Sequence, residues 1–245
     1  MKIVKERNNY YLLKDNQKIK IEPEVVQKYK IYYELDQPDF KIIYQENEYY
    51  IYYKMAIKRL SRMQSELMLR KHLDSKGASK SIINQVIVTL NKFGYLNDYE
   101  YAKNYKDLKM YSYGPLKITS NLLKDGVSKE IVDDIVATID EESVLTDLIQ
   151  KDLLKIKSSI YNYQQKLIRR YYQKGFNLEL IKSVINKELK DLNYDESIDL
   201  EKEYQKLINR PNKKNIDQSK WQYQVRMKLL KKGYRLDDIK KIEER

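Results

Sequence analysis

The sequence predicts an all-α protein of tandem three-helix repeats that form an elongated, curved array, preceded by a small N-terminal extension. Composition is the first indication: 34% of the 245 residues are charged and 42% are apolar, whereas glycine and proline number only six and four. This composition favours helices over sheet sandwiches and barrels, which need many turn residues. The other two indications are a set of spaced glycines and an apolar helical face that recurs after them.

The N-terminal extension, residues 1–54, is predicted to hold a β-hairpin and the start of a helix. Residues 10–21 (YYLLKDNQKIKI) predict two short strands around a polar turn. Pro38 is predicted to open a helix that runs through Tyr49 to Leu60, because proline suits the first turn of a helix.

Four glycines mark the repeat, each after a helical pattern: Gly77, Gly126, Gly175 and Gly233. The first three are 49 residues apart, and the fourth follows after 58. Each is predicted just past a helix end, where the backbone turns left-handed and a Cβ would be costly. Residues suited to cap the next helix stand two positions later: Ser79, Ser128 and Asn177. The fourth copy has Arg235 there instead.

The helix after each of the first three glycines repeats one buried face. At five, six, nine, ten and thirteen residues past the glycine, fourteen of fifteen residues are apolar, and the exception is Glu188. The helix before each glycine carries a narrower apolar stripe: Leu69, Leu73, Ile118, Leu122, Leu167, Tyr171, Val225 and Leu229. A third helix fits the rest of each full repeat: 97–111, 143–161 and 195–210.

These patterns divide the chain after its extension into three repeats and a partial fourth: 55–111, 112–162, 163–211 and 212–245. One three-helix unit is too small to bury much apolar surface alone, so neighbouring repeats are expected to stack.

The formal net charge of +12 indicates an acidic partner, either nucleic acid or a protein with an acidic surface. A lysine-rich proteome would produce the same value, and the 24 tyrosines fit a similar compositional bias. No apolar run predicts a membrane span, and the first ten residues lack the core of a signal peptide. We therefore expect a cytoplasmic monomer.

An enzymatic function finds little support in the sequence. The chain has no cysteine and one histidine, His72, which lies in a basic helix end and is interpreted as a solvated or half-buried residue. Asp133 and Asp134 are interpreted as part of a solvated helix face. Because no phosphate loop, zinc spacing or nucleophile motif is present, we expect no catalytic residue, metal or cofactor.

A candidate binding strip lies opposite the apolar stripe of the helices that end at the repeat glycines. Positions nine, six and two before each glycine hold six basic residues among twelve and no acidic one. These cations are Lys71, Lys117, Lys124, Lys166, Arg169 and Lys231. Four neighbours widen the strip: Arg70, Arg170, Arg226 and Lys228. The alternative is that cations near a helix C-terminus complement its dipole. If they form a binding surface, they contact phosphates or carboxylates with salt-sensitive affinity.

Three segments in order resemble the RecX family of recombination regulators. Residues 94–102 (GYLNDYEYA) resemble its G-Y-L-D-D-x-x-F-A signature, with Asn97 in place of an acidic residue and Tyr101 as the aromatic. Residues 114–118 (GPLKI) are similar to its G-x-x-[RK]-I segment, and residues 62–73 to its Arg…Ser-Glu-x-Glu-Leu-Arg opening, with Met68 and His72 as departures. The resemblance implies a structural function for eight motif residues: Gly94, Tyr95, Leu96, Asp98, Ala102, Gly114, Ile118 and Gly126. The resemblance covers about residues 55–190.

The resemblance implies a non-enzymatic regulator of recombination in DNA repair and the SOS response. Members of the family bind the RecA recombinase, lie in the groove of the RecA–DNA filament and usually restrain its activity. Some also bind DNA directly. The alternative function is a general helical-repeat nucleic-acid-binding protein without a recombinase partner.

Overall fold

The computed structural model describes residues 2–14, 17–32, 39–192, 194–210 and 217–244. Within these ranges the chain has three strands and thirteen helices, which confirms the predicted helical fold with a small β element at its N-terminus. In the same ranges, no helix is long and apolar enough to cross a bilayer.

The N-terminal sheet has three antiparallel strands in the order β1 (Lys2–Glu6), β2 (Asn9–Lys14) and β3 (Gln17–Lys20). The predicted hairpin corresponds to β2 and β3, while its turn residues lie outside the described ranges. Strand β1 was not predicted, because only Ile3 and Val4 are apolar among its five residues. It is nevertheless held by pairing of its whole length with β2.

Two helices follow the sheet, α1 (Pro23–Lys28) and α2 (Phe40–Arg59), and α2 runs past residue 54, the predicted end of the extension. Pro38, predicted to open the second, lies outside the described residues. The carboxylate of Asp39 caps α2 by accepting hydrogen bonds from the N–H groups of Lys41 and Ile42 at 3.0 and 3.2 Å. Helix α1, a short helix with proline at its start, was not predicted.

Eleven further helices follow in the described ranges: α3 (Glu66–Ser75), α4 (Lys80–Lys92), α5 (Asp98–Lys109), α6 (Pro115–Lys124), α7 (Lys129–Val136), α8 (Glu141–Leu153), α9 (Ile160–Gln173), α10 (Leu178–Lys190), α11 (Glu196–Ile208), α12 (Gln218–Lys231) and α13 (Leu236–Glu243). The prediction of one helix over 143–161 was wrong. Helix α8 ends at Leu153, and α9 begins after Ser159, whose hydroxyl accepts from the N–H of Asn162. Between them, Ile156 packs into the core.

The described chain forms two compact units. Unit 1 comprises Met1–Tyr105 and Asn121–Ile135, and unit 2 comprises Lys106–Ser120 and Val136–Arg245. Helices α5 and α6 therefore each contribute residues to both units. The units do not coincide with the repeat boundaries, which remain a prediction.

The apolar faces found in the sequence are the ones that form the cores. All five face positions of α4 are buried, and each residue of the narrower stripe in α3, α6, α9 and α12 is at most 1% exposed. In unit 1 the buried residues of α3 and α4 pack with α2 in one cluster. In unit 2 the stripes of α9 and α12 pack in two clusters, one around α8–α10 and one around α11–α13. Most of the folding free energy is expected from this burial.

The four repeat glycines end their helices in the predicted left-handed conformation, with φ from +79° to +89°. In each case the N–H of the next residue donates to the carbonyl five residues back, at 3.1 or 3.2 Å. That next residue is buried in every copy: Ala78, Val127, Phe176 and Tyr234. The same turn therefore ends the helix and places the residue after the glycine in the core.

Candidate partner-binding surface

The helices that carry the predicted strip meet end to end. In unit 1, the hydroxyl of Ser65, the N-cap of α3, donates to the main-chain carbonyl of Asp125 at the end of α6. Ser65 is completely buried. A Cβ on Gly126 would lie 2.4 Å from the Cβ of Leu67 on α3, so only glycine fits this junction without a shift of the neighbouring chain.

In unit 2 the junction between α6 and α9 is made by main-chain groups. The N–H of Gly114 donates to the carbonyl of Lys174 at 2.8 Å, and the N–H of Leu116 donates to that of Gly175 at 3.1 Å. A Cβ on Gly114 would lie 2.4 Å from the Gly175 carbonyl oxygen. Free N–H groups at the start of one helix thus satisfy free carbonyls at the end of another.

A third junction, also in unit 2, joins α9 to α12. The buried hydroxyl of Ser159 donates to the carbonyl of Lys232, and the ring of Tyr161 lies against Gly233. In unit 1, α2 makes the corresponding contact to α3, since the hydroxyl of Tyr52 donates to the carbonyl of Lys76 at 3.1 Å. In all four copies, the carbonyl just before the repeat glycine accepts a hydrogen bond from the preceding element.

These junctions place strip cations of successive repeats on abutting helix ends. In unit 2, Lys117 near the start of α6 lies close to Gly175, which follows the end of α9. A Cβ added to Gly175 would lie only 2.5 Å from the main-chain nitrogen of Lys117. Lys166 and Arg169 line one shallow surface depression of α9 together with Gln173. In unit 2, the start of α6 thus contacts the end of α9, and the start of α9 contacts the end of α12. These joined helices carry the basic side chains.

The predicted strip residues fall into two groups. Seven are exposed and make no ion pair with the described part of the chain: Lys71, Lys117, Lys124, Lys166, Arg169, Lys228 and Lys231. Two of them lie over aromatic rings of their own helix, Lys166 at 5.7 Å from the Tyr163 centroid and Lys228 at 5.1 Å from Trp221. These seven are available to a partner.

The other three are arginines held in internal pairs. Arg70 donates from Nε to Glu66 and from Nη1 to Asn84, each at 2.7 Å. Arg170 pairs with Asp152 and Arg226 with Glu243. Hydrogen bonding to those carboxylates raises the pKa of both arginines. Contact with a partner would have to compete with these pairs, so these three arginines are less available to a partner than the seven exposed cations.

The family-motif residues are mostly structural. Leu96, Ala102 and Ile118 are buried, and Gly114 permits the close approach described above. The Asp98 carboxylate accepts from the N–H of Glu66 at 2.8 Å and so caps α3; burial raises the pKa of Asp98 despite this hydrogen bond.

Two motif positions that depart from the family pattern keep a structural function. Asn97 caps α5 by accepting from Tyr99 and Glu100, which explains why an amide is tolerated where the family has an acid. The Tyr101 hydroxyl donates to Asp125 at 2.8 Å. Tyr95 differs from the rest of the motif because its side chain is 59% exposed.

The residues considered for catalysis do not form a site. His72 lies near Arg59 and Lys76, and burial together with these cations lowers its pKa. Asp133 and Asp134 are exposed, as interpreted from the sequence. In the ranges that the structure describes, no three His, Asp or Glu side chains are grouped so that they could hold a metal ion.

No protein-family model matches the chain. It is 32% identical over 155 residues to the regulatory protein RecX of Caldanaerobacter subterraneus subsp. tengcongensis, a match that covers 60% of this chain and 78% of that protein. The chain belongs to the RecX family. It is also 28% identical over 200 residues to the regulatory protein RecX of Clostridium botulinum, strain Alaska E43, covering 78% of this chain and 94% of that relative. Among solved structures, a crystal structure of regulatory protein RecX matches with a TM-score of 0.58 at 20% identity, over 76% of this chain and 98% of that one. That likeness shows the shared fold.

Sequence reasoning missed the hydroxyl groups at the junctions. Ser65 lies in a family-like segment, but nothing local indicates that its hydroxyl reaches a carbonyl 60 positions away. Ser159 and Tyr52 carry no signal at all. The sequence indicates the junctions only through the repeat itself, because in all four copies the accepting carbonyl belongs to the residue just before a repeat glycine.

Proposed function

We propose that the chain is a non-enzymatic regulator that binds the RecA recombinase, lies in the groove of the RecA–DNA filament and restrains its recombination and ATPase activities. Membership in the RecX family is the observation that carries this proposal. The relatives it matches are named as regulators, and the chain contains the family segments in order.

The end-to-end helices give this proposal a physical basis. A filament presents the same contact at regular intervals, and a repeat protein meets it with equivalent helices that each carry a few free cations. Each repeat then contributes a modest patch, and the affinity comes from several patches that engage one continuous partner at once. Because the patches are cationic, binding is expected to weaken steeply with salt.

The decisive experiment measures the ATPase activity of RecA on single-stranded DNA with increasing amounts of this protein. We expect a concentration-dependent decrease in ATP hydrolysis, and tighter binding to the filament than to bare single-stranded DNA. If the protein binds bare DNA as tightly as the filament and leaves the ATPase unchanged, it is the general nucleic-acid-binding protein that its net charge of +12 also permits.

A further inference from the structure

A cleft of about 730 Å³ lies in unit 1 between the solvent-facing sides of α2 and α4, with Lys28 of α1 at its edge. Its walls are formed mainly by Gln45, Glu48 and Ile42 of α2 and by Gln85 and Val88 of α4. It is therefore built from elements other than α3, α6, α9 and α12, which carry the free cations.

The cleft is fixed by the packing of the two helices. The hydroxyl of Tyr49 on α2 donates to Oγ1 of Thr89 on α4 at 3.0 Å. The Tyr49 ring stacks on Tyr53, with 5.8 Å between the centroids, and both rings pack on the core that α4 supplies. A ligand would enter a preformed groove, which lowers the entropy cost of binding.

The charge of the cleft is opposite to that of the chain as a whole. Among its described lining residues Lys28 is the one cation, and its ammonium group is paired with Glu46, which raises the pKa of Lys28. Glu48 adds a carboxylate that makes no ion pair within the described ranges. A phosphate backbone would find no free cation here and would meet a negative charge. Nucleic acid is therefore a poor ligand for this groove.

The apolar part of the cleft is exposed to water. Val88 is 65% exposed and Ile42 is 45% exposed, one on each wall. Covering them would bury apolar surface, which favours binding. The amides of Gln45 and Gln85 offer donors and acceptors suited to a polypeptide main chain.

We propose that this cleft binds a polypeptide segment of the filament protein, with apolar side chains against Ile42 and Val88 and a lysine or arginine at Glu48. A second copy of this chain is disfavoured by repulsion between two molecules of charge +12. The identity of the partner rests on the proposed function. The regulator then holds its target at two chemically different places, with the cation strip on acidic groups and the cleft on a basic and apolar segment.

The test compares Ile42→Glu/Val88→Glu with a control of equal added charge, Leu154→Glu/Ile198→Glu, whose side chains are 83% and 55% exposed in unit 2. Binding is measured to RecA–single-stranded DNA filaments and to bare single-stranded DNA, with the melting temperature as a check on folding. We expect the cleft variant to lose at least about tenfold in filament affinity and to bind bare DNA like the control. The single variant Glu48→Lys is expected to weaken filament binding without weakening binding to bare DNA.

Three outcomes overturn the proposal. Unchanged filament affinity of the folded cleft variant and of Glu48→Lys removes the cleft from the interface while the proposed function stands. A loss of bare-DNA affinity specific to the cleft variant makes the groove a nucleic-acid site. Failure of the unaltered protein to bind filaments more tightly than bare DNA refutes the proposed function, and with it the assignment of this groove to the filament protein.

Discussion

The hydroxyl of Ser65 donates a hydrogen bond to the main-chain carbonyl of Asp125, 60 positions further along the chain. The same hydroxyl accepts from the N–H of Met68 at 3.2 Å and so caps α3. One side chain therefore satisfies a free donor at the start of one repeat helix and a free acceptor at the end of the next. The same kind of contact joins the hydroxyl of Ser159, before α9, to the carbonyl of Lys232, after α12.

Ser65→Ala is expected to destabilise the protein by about 2–3 kcal/mol, because it removes a cap and leaves the half-buried Asp125 carbonyl without its partner. Ser79→Ala is the matched control. Ser79 caps α4 in the same way but is exposed and makes no such junction, so we expect a loss of about 1 kcal/mol. Urea unfolding measures both changes. Equal losses in the two variants would show that the junction hydrogen bond contributes nothing.

Gly126→Ala is expected to cost about 2–4 kcal/mol of unfolding free energy. The residue has φ +89°, and its new Cβ would lie 2.4 Å from the Cβ of Leu67. Gly94→Ala provides the comparison, since Gly94 has φ +71° but a Cβ there would meet no atom within 4 Å. It should cost only the left-handed penalty of about 1–2 kcal/mol. A Gly126 variant no worse than the Gly94 variant would argue against tight junction packing.

Asp152→Asn is expected to destabilise by about 1–3 kcal/mol near neutral pH. Burial alone would raise the pKa of Asp152, but hydrogen bonds from Tyr171 and Arg170 outweigh it and leave the pKa below its usual value of 3.8. A carboxyl whose folded pKa is depressed stabilises the protein above the unfolded pKa, and this stabilisation is lost as the pH falls through the folded value. The difference between wild type and variant, measured by urea unfolding, should therefore shrink as the pH is lowered below about 4. A difference independent of pH would mean that the charge of Asp152 has no effect.

The fold was largely predictable because its signals are local. Leu69 and Leu73, or Val86 and Leu90, stand at helical spacing, and a glycine after such a run indicates the helix end. The errors arose where stability comes from distant partners. Strand β1 has too few apolar residues to be seen without β2. Ile156 lies in the break between α8 and α9 and packs into a core formed by α8, α9 and α10.

The candidate surface was only partly predictable for the same reason. Helical spacing shows which cations lie opposite an apolar stripe, but it does not show which of them a carboxylate from another helix already holds. Arg170 and Asp152 are 18 positions apart, and Arg226 and Glu243 are 17 apart, and in each pair the two residues belong to different helices. Only the packing of those helices brings them together.

His72→Gln is expected to leave restraint of the RecA ATPase within a few-fold of wild type. His72 is half-buried beside the cations Arg59 and Lys76, and we propose no chemical step for it. The glutamine keeps a polar side chain of similar length, so folding should be little changed. Complete loss of the effect in a variant that melts like wild type would return catalysis to consideration.

Reversal of Lys117, Lys124, Lys166 and Arg169 to glutamate tests the strip. All four side chains are exposed and unpaired within the described ranges, so helicity and melting should be nearly unchanged. The control replaces Lys129, Lys151, Lys187 and Lys190 with glutamate. These lysines are exposed on other helices, and their replacement lowers the net charge from +12 by the same eight charges.

The strip variant is expected to bind RecA–single-stranded DNA filaments at least about tenfold more weakly than the control and to lose restraint of strand exchange in parallel. Several cationic patches engage one continuous partner in this mechanism, so the loss of four contacts removes both affinity and most of the salt dependence. Filament binding measured by fluorescence anisotropy across a salt series, beside a strand-exchange assay, checks both effects. If strip and control variants weaken equally, net charge rather than this surface governs binding. If the strip variant still restrains RecA at wild-type concentrations, the contact lies elsewhere on the chain.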